Sequence, residues 1–313
     1  MKKHLYSKFE KRNFLFVYLL IALPVVQFAV CWIYVNLSSI VLTFKATDGS
    51  FTFNNIKQVF AAFKGVDRYG LVLGESLLRS LTIWFVSHLL VFPISIITTY
   101  ILQRRILGHY FWRLCYIIPG LMGSVIWITL MKYIIAYDGI VVSALTKMGV
   151  KLPEMVLRNG LLGAESTAFK TVMIIGVLQN LVGNNAVLTG AFARIPEEIY
   201  ESAKLDGAGF WTECFRIAIP CIWSTIATLT TFALCSVFTA DCGVFLYSNG
   251  TGEPGMSTVG FHLYLIQYRI SLTGAGRASF GYPAALGFVL TCLTLPIVFG
   301  GKWLLERVDT VEV

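Results

Sequence analysis

Charge is what this sequence has least of. Asp, Glu, Lys and Arg make up 13% of its 313 residues, about half of the roughly 25% that clothes a soluble domain. With 56% hydrophobic residues and a mean hydropathy of +0.72, a water-soluble globule and a disordered chain are both excluded, which leaves a protein embedded in a bilayer. Paired cysteine chemistry is missing as well. The seven cysteines form no C-x-x-C pair and none falls in a segment assigned below to the outer face, so they read as small packing residues. Cys214, Cys221, Cys235 and Cys242 recur at roughly heptad spacing, which fits a helix packing face better than a metal site. No Gly-x-x-x-x-Gly-Lys-Ser/Thr loop is present to cradle phosphate, so the chain is not expected to hydrolyse ATP itself. Nor is there a His-Glu-x-x-His or a Gly-x-Ser-x-Gly. No catalytic residue, metal or cofactor is expected.

The net charge of +8 does not indicate nucleic acid, because the basic residues are scattered through the links between apolar runs and form no stripe. Those runs are what the chain is made of. Six are long enough to cross a membrane, about 14–36, 77–102, 111–137, 169–192, 215–240 and 282–304, which predicts an all-α membrane protein of six transmembrane helices. The first run follows five Lys/Arg within residues 1–12, but it is too long for a signal-peptide core and no small-residue cleavage site follows, so it is expected to stay as a span. With the N-terminus inside, the inner segments carry 13 Lys/Arg in 60 residues against 11 in 103 outside, which places both ends in the cytoplasm. The expected layout is a cytoplasmic N-terminus (1–13), the first span (14–36), an outer loop (45–76), a five-helix core (77–304) and a cytoplasmic tail (305–313). Ile56, Val59, Phe60 and Phe63 put an apolar face on a helix over 52–64, suited to the outer interface. His88 reads as a hydrogen-bonded packing histidine, Lys132 as a snorkelling lysine and Asp241 as a cap at the end of the fifth span.

One inner link is unusual. Over 195–220, Pro196 suits a first helical position, Glu197 and Glu198 suit the positive end of that helix, and Gly207 and Gly209 stop it. Ile195, Ile199 and Ala203 share a face, while Glu197 and Glu201 crowd the other and repel. A short, sharply ended, two-faced helix reads either as a solvated surface helix or as one that docks into a groove of another protein, and the second accounts for its apolar face.

Glu201-Ser-Ala-x-x-Asp206-Gly207-Ala208, followed by Ile217-x-Ile219-Pro220, resembles the EAA motif of binding-protein-dependent ABC transporter permeases, with Gly207 and Pro220 in register and Ser202 and Ile219 as small departures. The upstream Ile195-Pro-Glu-Glu-x-Tyr200-Glu201 and the Asp206-Gly-Ala triplet are similar to the carbohydrate branch of that family. So are Phe53-Asn-Asn-Ile56, before the second span, and Phe280-Gly-Tyr-Pro-Ala-Ala285, at the entry to the last. Gly250-Thr-Gly-Glu-Pro254 and the Trp303–Val313 tail resemble the first membrane subunit of a heterodimeric pair. Ala191-Phe192-Ala193 departs from the usual Gly-Leu-x.

The resemblance implies the type I importer permease fold, a multi-pass place in a bacterial cell membrane, and a cytoplasmic coupling helix seated in a cleft of an ATPase. Glu201 would be its acidic contact, with Asp206 and Pro220 in the same motif, Gly207 its tight turn, and Ile195, Ala203 and Ala208 its apolar seat. It also implies a second homologous permease, two cytoplasmic ATPase subunits, an extracytoplasmic solute-binding protein and surrounding lipid as partners, with a sugar or oligosaccharide as the solute. A sugar path needs hydroxyl partners, and the fourth span offers Gln179, Asn180, Asn184 and Asn185, for which solute contact and inter-helix packing stand equal. A non-sugar ABC solute is the alternative. A self-sufficient carrier would want intramembrane charge pairs or internal repeats, and a membrane enzyme paired catalytic residues; neither pattern is seen.

Overall fold

The computed structural model describes residues 2–46, 48–66, 72–104, 108–248, 255–274 and 276–307. Gly250–Pro254 and the end of the tail therefore lie outside the described residues. Among the described residues the regular structure is helical, apart from a single antiparallel bridge between Lys45 and Phe51. Among the described residues five helices are long and apolar enough to cross a bilayer: α1 (Phe16–Thr43), α3 (Leu73–Gln103), α5 (Ser124–Lys147), α6 (Glu165–Phe192) and α11 (Gly281–Leu305). A sixth crossing exists where the bent pair α8 (Phe210–Cys221) and α9 (Trp223–Cys235) counts as one. Shorter helices are α2 (Asn54–Ala62), α4 (His109–Leu121), α7 (Glu197–Leu205) and α10 (Val259–Leu272).

Three spans differ from expectation. The run expected to cross at 111–137 is broken: α4 carries Pro119 and Gly120 in its last turn, Met122 is extended, and a new helix starts at Ser124. Proline removes a ladder hydrogen bond and crowds the preceding turn, so α4 ends two residues after Pro119 and the long segment becomes Ser124–Lys147. The run at 215–240 is bent by 70° at Ile222, two residues after Pro220. The first span also runs further, to Thr43.

The chain divides into two compact units. The first comprises residues 1–61 and 269–289. No part of the apolar window of α1 is buried by the protein, and its Phe, Leu, Val and Trp side chains stand exposed along its length. An apolar helix bare on all sides requires lipid or another apolar surface around it. The chain then reverses through a tight hairpin, where Thr52 N–H donates to Phe44 O at 2.8 Å and Asp48 Oδ1 accepts from Ser50 N–H and Oγ–H at 3.0 and 2.6 Å. The side-chain amide of Asn55 donates to Thr43 O and Lys45 O at 3.1 and 2.9 Å, stapling α2 to the end of α1. Gly281 makes room for this staple, since a Cβ there would stand 2.6 Å from Asn55 Nδ2 and 3.1 Å from Lys45 O.

The second unit comprises residues 62–268 and 290–313. One core joins Phe92, Ile96 and Tyr100 of α3 to Leu188 and Phe192 of α6 and to Cys214 and Ala218 of α8. Another joins Trp127 and Ile128 of α5 to Val172 and Ile175 of α6 and Phe261 and Leu265 of α10. In lipid such contacts are held by close packing and inter-helix hydrogen bonds of about 0.6 kcal/mol each. Examples are Trp84 Nε1–H to Ala233 O at 2.7 Å and Trp223 Nε1–H to Leu305 O at 3.0 Å.

Candidate functional site

The Ile195–Pro220 segment folds into two helices around one glycine. Pro196 is the residue before the first turn of α7, one place earlier than its sequence position suggested, and Glu197 and Glu198 occupy the turn's positive end. On α7 and the residue after it, Glu197, Glu198, Glu201, Ser202, Lys204, Leu205 and Asp206 are exposed, four acids against one lysine. At the other end Gly207 takes φ +78°, the left-handed region. Its N–H donates to Lys204 O at 3.0 Å, and Ala208 N–H reaches back to Ala203 O at 2.9 Å, the paired bonds of a Schellman stop. Gly209 belongs to the next helix, as the residue before its first turn. Pro220 lies near the C-terminal end of α8.

The expected apolar seat is corrected by the structure. Ile195 and Ala203 are buried by this same chain and Ala208 is half-buried. The apolar face of α7 therefore rests on its own protein, and the surface left for another is acidic, with Leu205, 89% exposed, in its middle. Phe210, Trp211 and Phe215 extend the exposed apolar area along α8.

Behind this surface lies a group that reading the sequence missed. Glu213 of α8 is buried and ion-paired to Arg104, which directly follows α3. Tyr100 of α3 donates its hydroxyl to the same Glu213 Oε1 at 2.7 Å, and its ring packs on Phe192 and Phe210. The Arg104 guanidinium also lies over the ring of Tyr200 in α7, 4.2 Å from its centre. Burial pushes the Tyr200 phenol up to about 12, with the neighbouring Arg104 pulling against it. A cleft of about 680 Å³ opens beside these groups, lined by Gln103, Arg104, Glu197, Lys204 and Glu213 among others. The available signal was a lone acid in the same helical stripe as the apolar Phe210, Cys214 and Ala218.

The four amides of α6 separate. Asn185 is 3% exposed, and its Oδ1 accepts from the Thr99 and Thr189 hydroxyls, both at 3.1 Å, so it ties α6 to α3 and offers nothing to a passing solute. Asn180 is half-buried and donates to Gly176 O at 2.8 Å and Ser87 Oγ at 3.4 Å. Gln179 and Asn184 are half-buried, and Asn184 marks a break between the two helical stretches of α6. In the last turn before that break the Leu181 carbonyl, left without a ladder partner of its own kind, accepts from Ser95 Oγ–H and Tyr116 O–H at 2.9 and 2.6 Å. His88 bonds its Nδ1 to Trp84 O at 3.1 Å and stacks on the Trp84 ring, a packing role. Asp241 accepts from Gly243 N–H at 2.9 Å and closes a turn. Among the described residues no three His, Cys, Asp or Glu side chains are grouped to hold a metal ion.

No family model matches the chain. It is 29% identical over 201 residues to the diacetylchitobiose uptake system permease protein NgcF of Streptomyces coelicolor, an alignment covering 61% of this chain and 52% of that protein. It is 25% identical over 187 residues to the lactose transport system permease protein LacF of Rhizobium radiobacter, covering 58% and 61%. The chain thus spans about half to three fifths of the length of these curated relatives. In structure it superposes, with a TM-score of 0.73 and 22% identity over 98% of this chain and 99% of the other, on a chain of a bacterial alginate ABC transporter solved with an alginate pentasaccharide-bound periplasmic protein. The fold is that of an ABC transporter permease. By sequence the chain is a relative of permeases from sugar uptake systems.

Proposed function

We infer that the chain is a membrane subunit of an ATP-driven importer, pairs with a second, homologous permease, and passes a sugar or oligosaccharide handed over by an extracytoplasmic binding protein. The observation that carries this reading is α7. It is fastened to its own protein on one face, stopped by a left-handed glycine, and left with an acidic surface around a bare leucine on the other. A helix so built is a rigid knob, suited to transmit force from a partner. The partner is one of two cytoplasmic ATPases, for which Glu201 and Asp206 supply the charge and Leu205 the apolar contact. Both chain ends lie in the cytoplasm on this reading, as the Lys/Arg distribution requires. The permeases NgcF and LacF, named for diacetylchitobiose and lactose, support a carbohydrate solute. The half-burial of Gln179, Asn180 and Asn184 near the break in α6 supports them as the amides that meet its hydroxyls, while Asn185 is taken up by Thr99 and Thr189.

The test is a calorimetric titration of the co-encoded binding protein with diacetylchitobiose, lactose and alginate oligosaccharides, followed by ATP-dependent uptake of the captured sugar into vesicles holding the complex. Capture of an amino acid or a metal ion, with no response to any sugar, overturns the carbohydrate assignment.

A further inference from the structure

The ion pair beneath α7 is in an expensive position. Glu213 keeps 4% of its side-chain surface and Arg104 19%, and charges taken out of water are tolerated only where partners surround them. An apolar pair of the same volume would hold two helices together as well. What the charged pair adds is one permitted geometry, because packed hydrocarbon surfaces can slide past one another and a buried ion pair with directed hydrogen bonds cannot. Its connections converge on three helices. Glu213 sits on α8, a tight turn beyond the end of α7; Arg104 follows the last residue of α3 and covers Tyr200 of α7; Tyr100, inside α3, holds the same carboxylate oxygen.

Resting on the import reading above, we propose that the Arg104–Glu213 pair, braced by Tyr100, is the joint through which movement of α7 is delivered to the long helix α3, and that Arg104 and Glu213 are positioning residues for ATP-coupled transport. With the joint closed, the ATPases cannot come together on ATP unless α3 moves with α7. With the joint open, α7 follows the ATPases while α3 stays behind, and ATP is spent without work. Glu201, Leu205 and Asp206 of the docking surface are exposed and are not among the side chains that hold the joint.

The experiment isolates the complex through a tag on this chain, places it in lipid nanodiscs, and measures hydrolysis per bound ATPase with Mg-ATP as the only ligand. Glu213→Gln and Arg104→Gln are expected to retain the ATPase at the wild-type ratio and to raise this basal hydrolysis about fivefold or more. The charge-swapped double variant, Arg104→Glu with Glu213→Arg, restores the ion pair but leaves the Tyr100 hydroxyl no acceptor at position 213, so its basal hydrolysis is expected to fall below that of either single variant without reaching the wild-type level. A merely structural role lowers the yield of complex and leaves the activity of each recovered ATPase unchanged. Single variants within about twofold of wild type, or a swap as active as the singles, overturn the proposal. If Glu213→Gln does not accumulate, Tyr100→Phe decides, since it removes only the hydroxyl bond: a rise in basal hydrolysis upholds the joint and no rise overturns it. A wild-type chain that brings down no ATP-hydrolysing subunit contradicts the import reading itself, an outcome distinct from failure of the joint.

Discussion

Replacing Gly207 separates backbone strain from crowding. Gly207 is exposed and a Cβ built on it meets nothing within 4 Å, so a methyl there has open space, yet its φ is +78°. The cost of Gly207→Ala is therefore that of holding an L-residue in the left-handed region, about 1–2 kcal/mol. Leu or Lys should cost nearly the same, because volume does not enter. Asn, which tolerates this region, should cost least. Gly207→Pro is different in kind: the ring fixes φ near −65° and deletes the N–H that donates to Lys204 O at 3.0 Å. With that bond gone and the turn reversed, the Ala208–Ala203 bond fails too, and a loss of about 3 kcal/mol or more falls on the last turn of α7. That turn carries Leu205 and Asp206. Two readouts are needed, the thermal midpoint of the purified chain in detergent and the amount of ATPase recovered with it. Ala, Leu and Lys should cluster, Asn should lie nearest wild type, and Pro should keep the transmembrane core while losing the ATPase. A cost that climbs steadily with side-chain volume would refute the strain argument, and a Pro variant with full ATPase recovery would refute the role given to the turn.

Other outcomes follow from the same structure. Glu201→Lys reverses the charge at a desolvated contact, which costs several kcal/mol and should deplete the ATPase in a pull-down more than about a hundredfold; a solvated helix would lose about 0.5 kcal/mol or less. Asn185→Ala takes the acceptor of the Thr189 hydroxyl and the weaker of the two that the Thr99 hydroxyl shares, Ser95 O at 2.7 Å being kept, and should lower stability by about 1 kcal/mol in thermal melts. Gln179→Ala should leave the melt unchanged and weaken uptake. Gly281→Ala pushes a methyl against the Asn55 amide, so a double-mutant cycle with Asn55→Ala should show coupling of about 0.5 kcal/mol or more, and strict additivity would deny the contact. In intact cells a thiol reagent should reach a cysteine at position 198 only after permeabilisation; labelling from outside would reverse the orientation.

Much of this was legible from residue types. A glycine after Asp206, with a helix-favouring run before it, could only be a stop, and the structure closes that stop with two hydrogen bonds. The spacing of Ile56, Val59, Phe60 and Phe63 drew a helix over 52–64, and the structure forms the shorter α2, with Val59 buried, Phe60 exposed and Phe63 beyond its end. What escaped depends on which surface meets which. The stripe of Ile195, Ile199 and Ala203 says that one face of α7 is covered, but the same stripe serves a foreign groove or the chain's own core, and the structure chose the core. Glu213 looked like one acid among several, because its partner Arg104 lies more than a hundred residues earlier in the chain. The break after Pro119 hid inside an unbroken apolar run, where composition continues although the helix does not. Asn180 and Asn185 are the same residue type in one helix, and only the hydroxyls facing them, Ser87 for one and Thr99 with Thr189 for the other, give them different work.

The central claim is ATP-driven import of a sugar, and one measurement meets it directly. The complex isolated through this chain is sealed into liposomes with Mg-ATP inside, and the loaded binding protein is presented outside with radiolabelled diacetylchitobiose or lactose. Accumulation that requires internal ATP, and disappears with Glu201→Lys, is the expected result. Accumulation that proceeds without ATP, driven by an ion gradient or by the sugar gradient alone, would contradict the account.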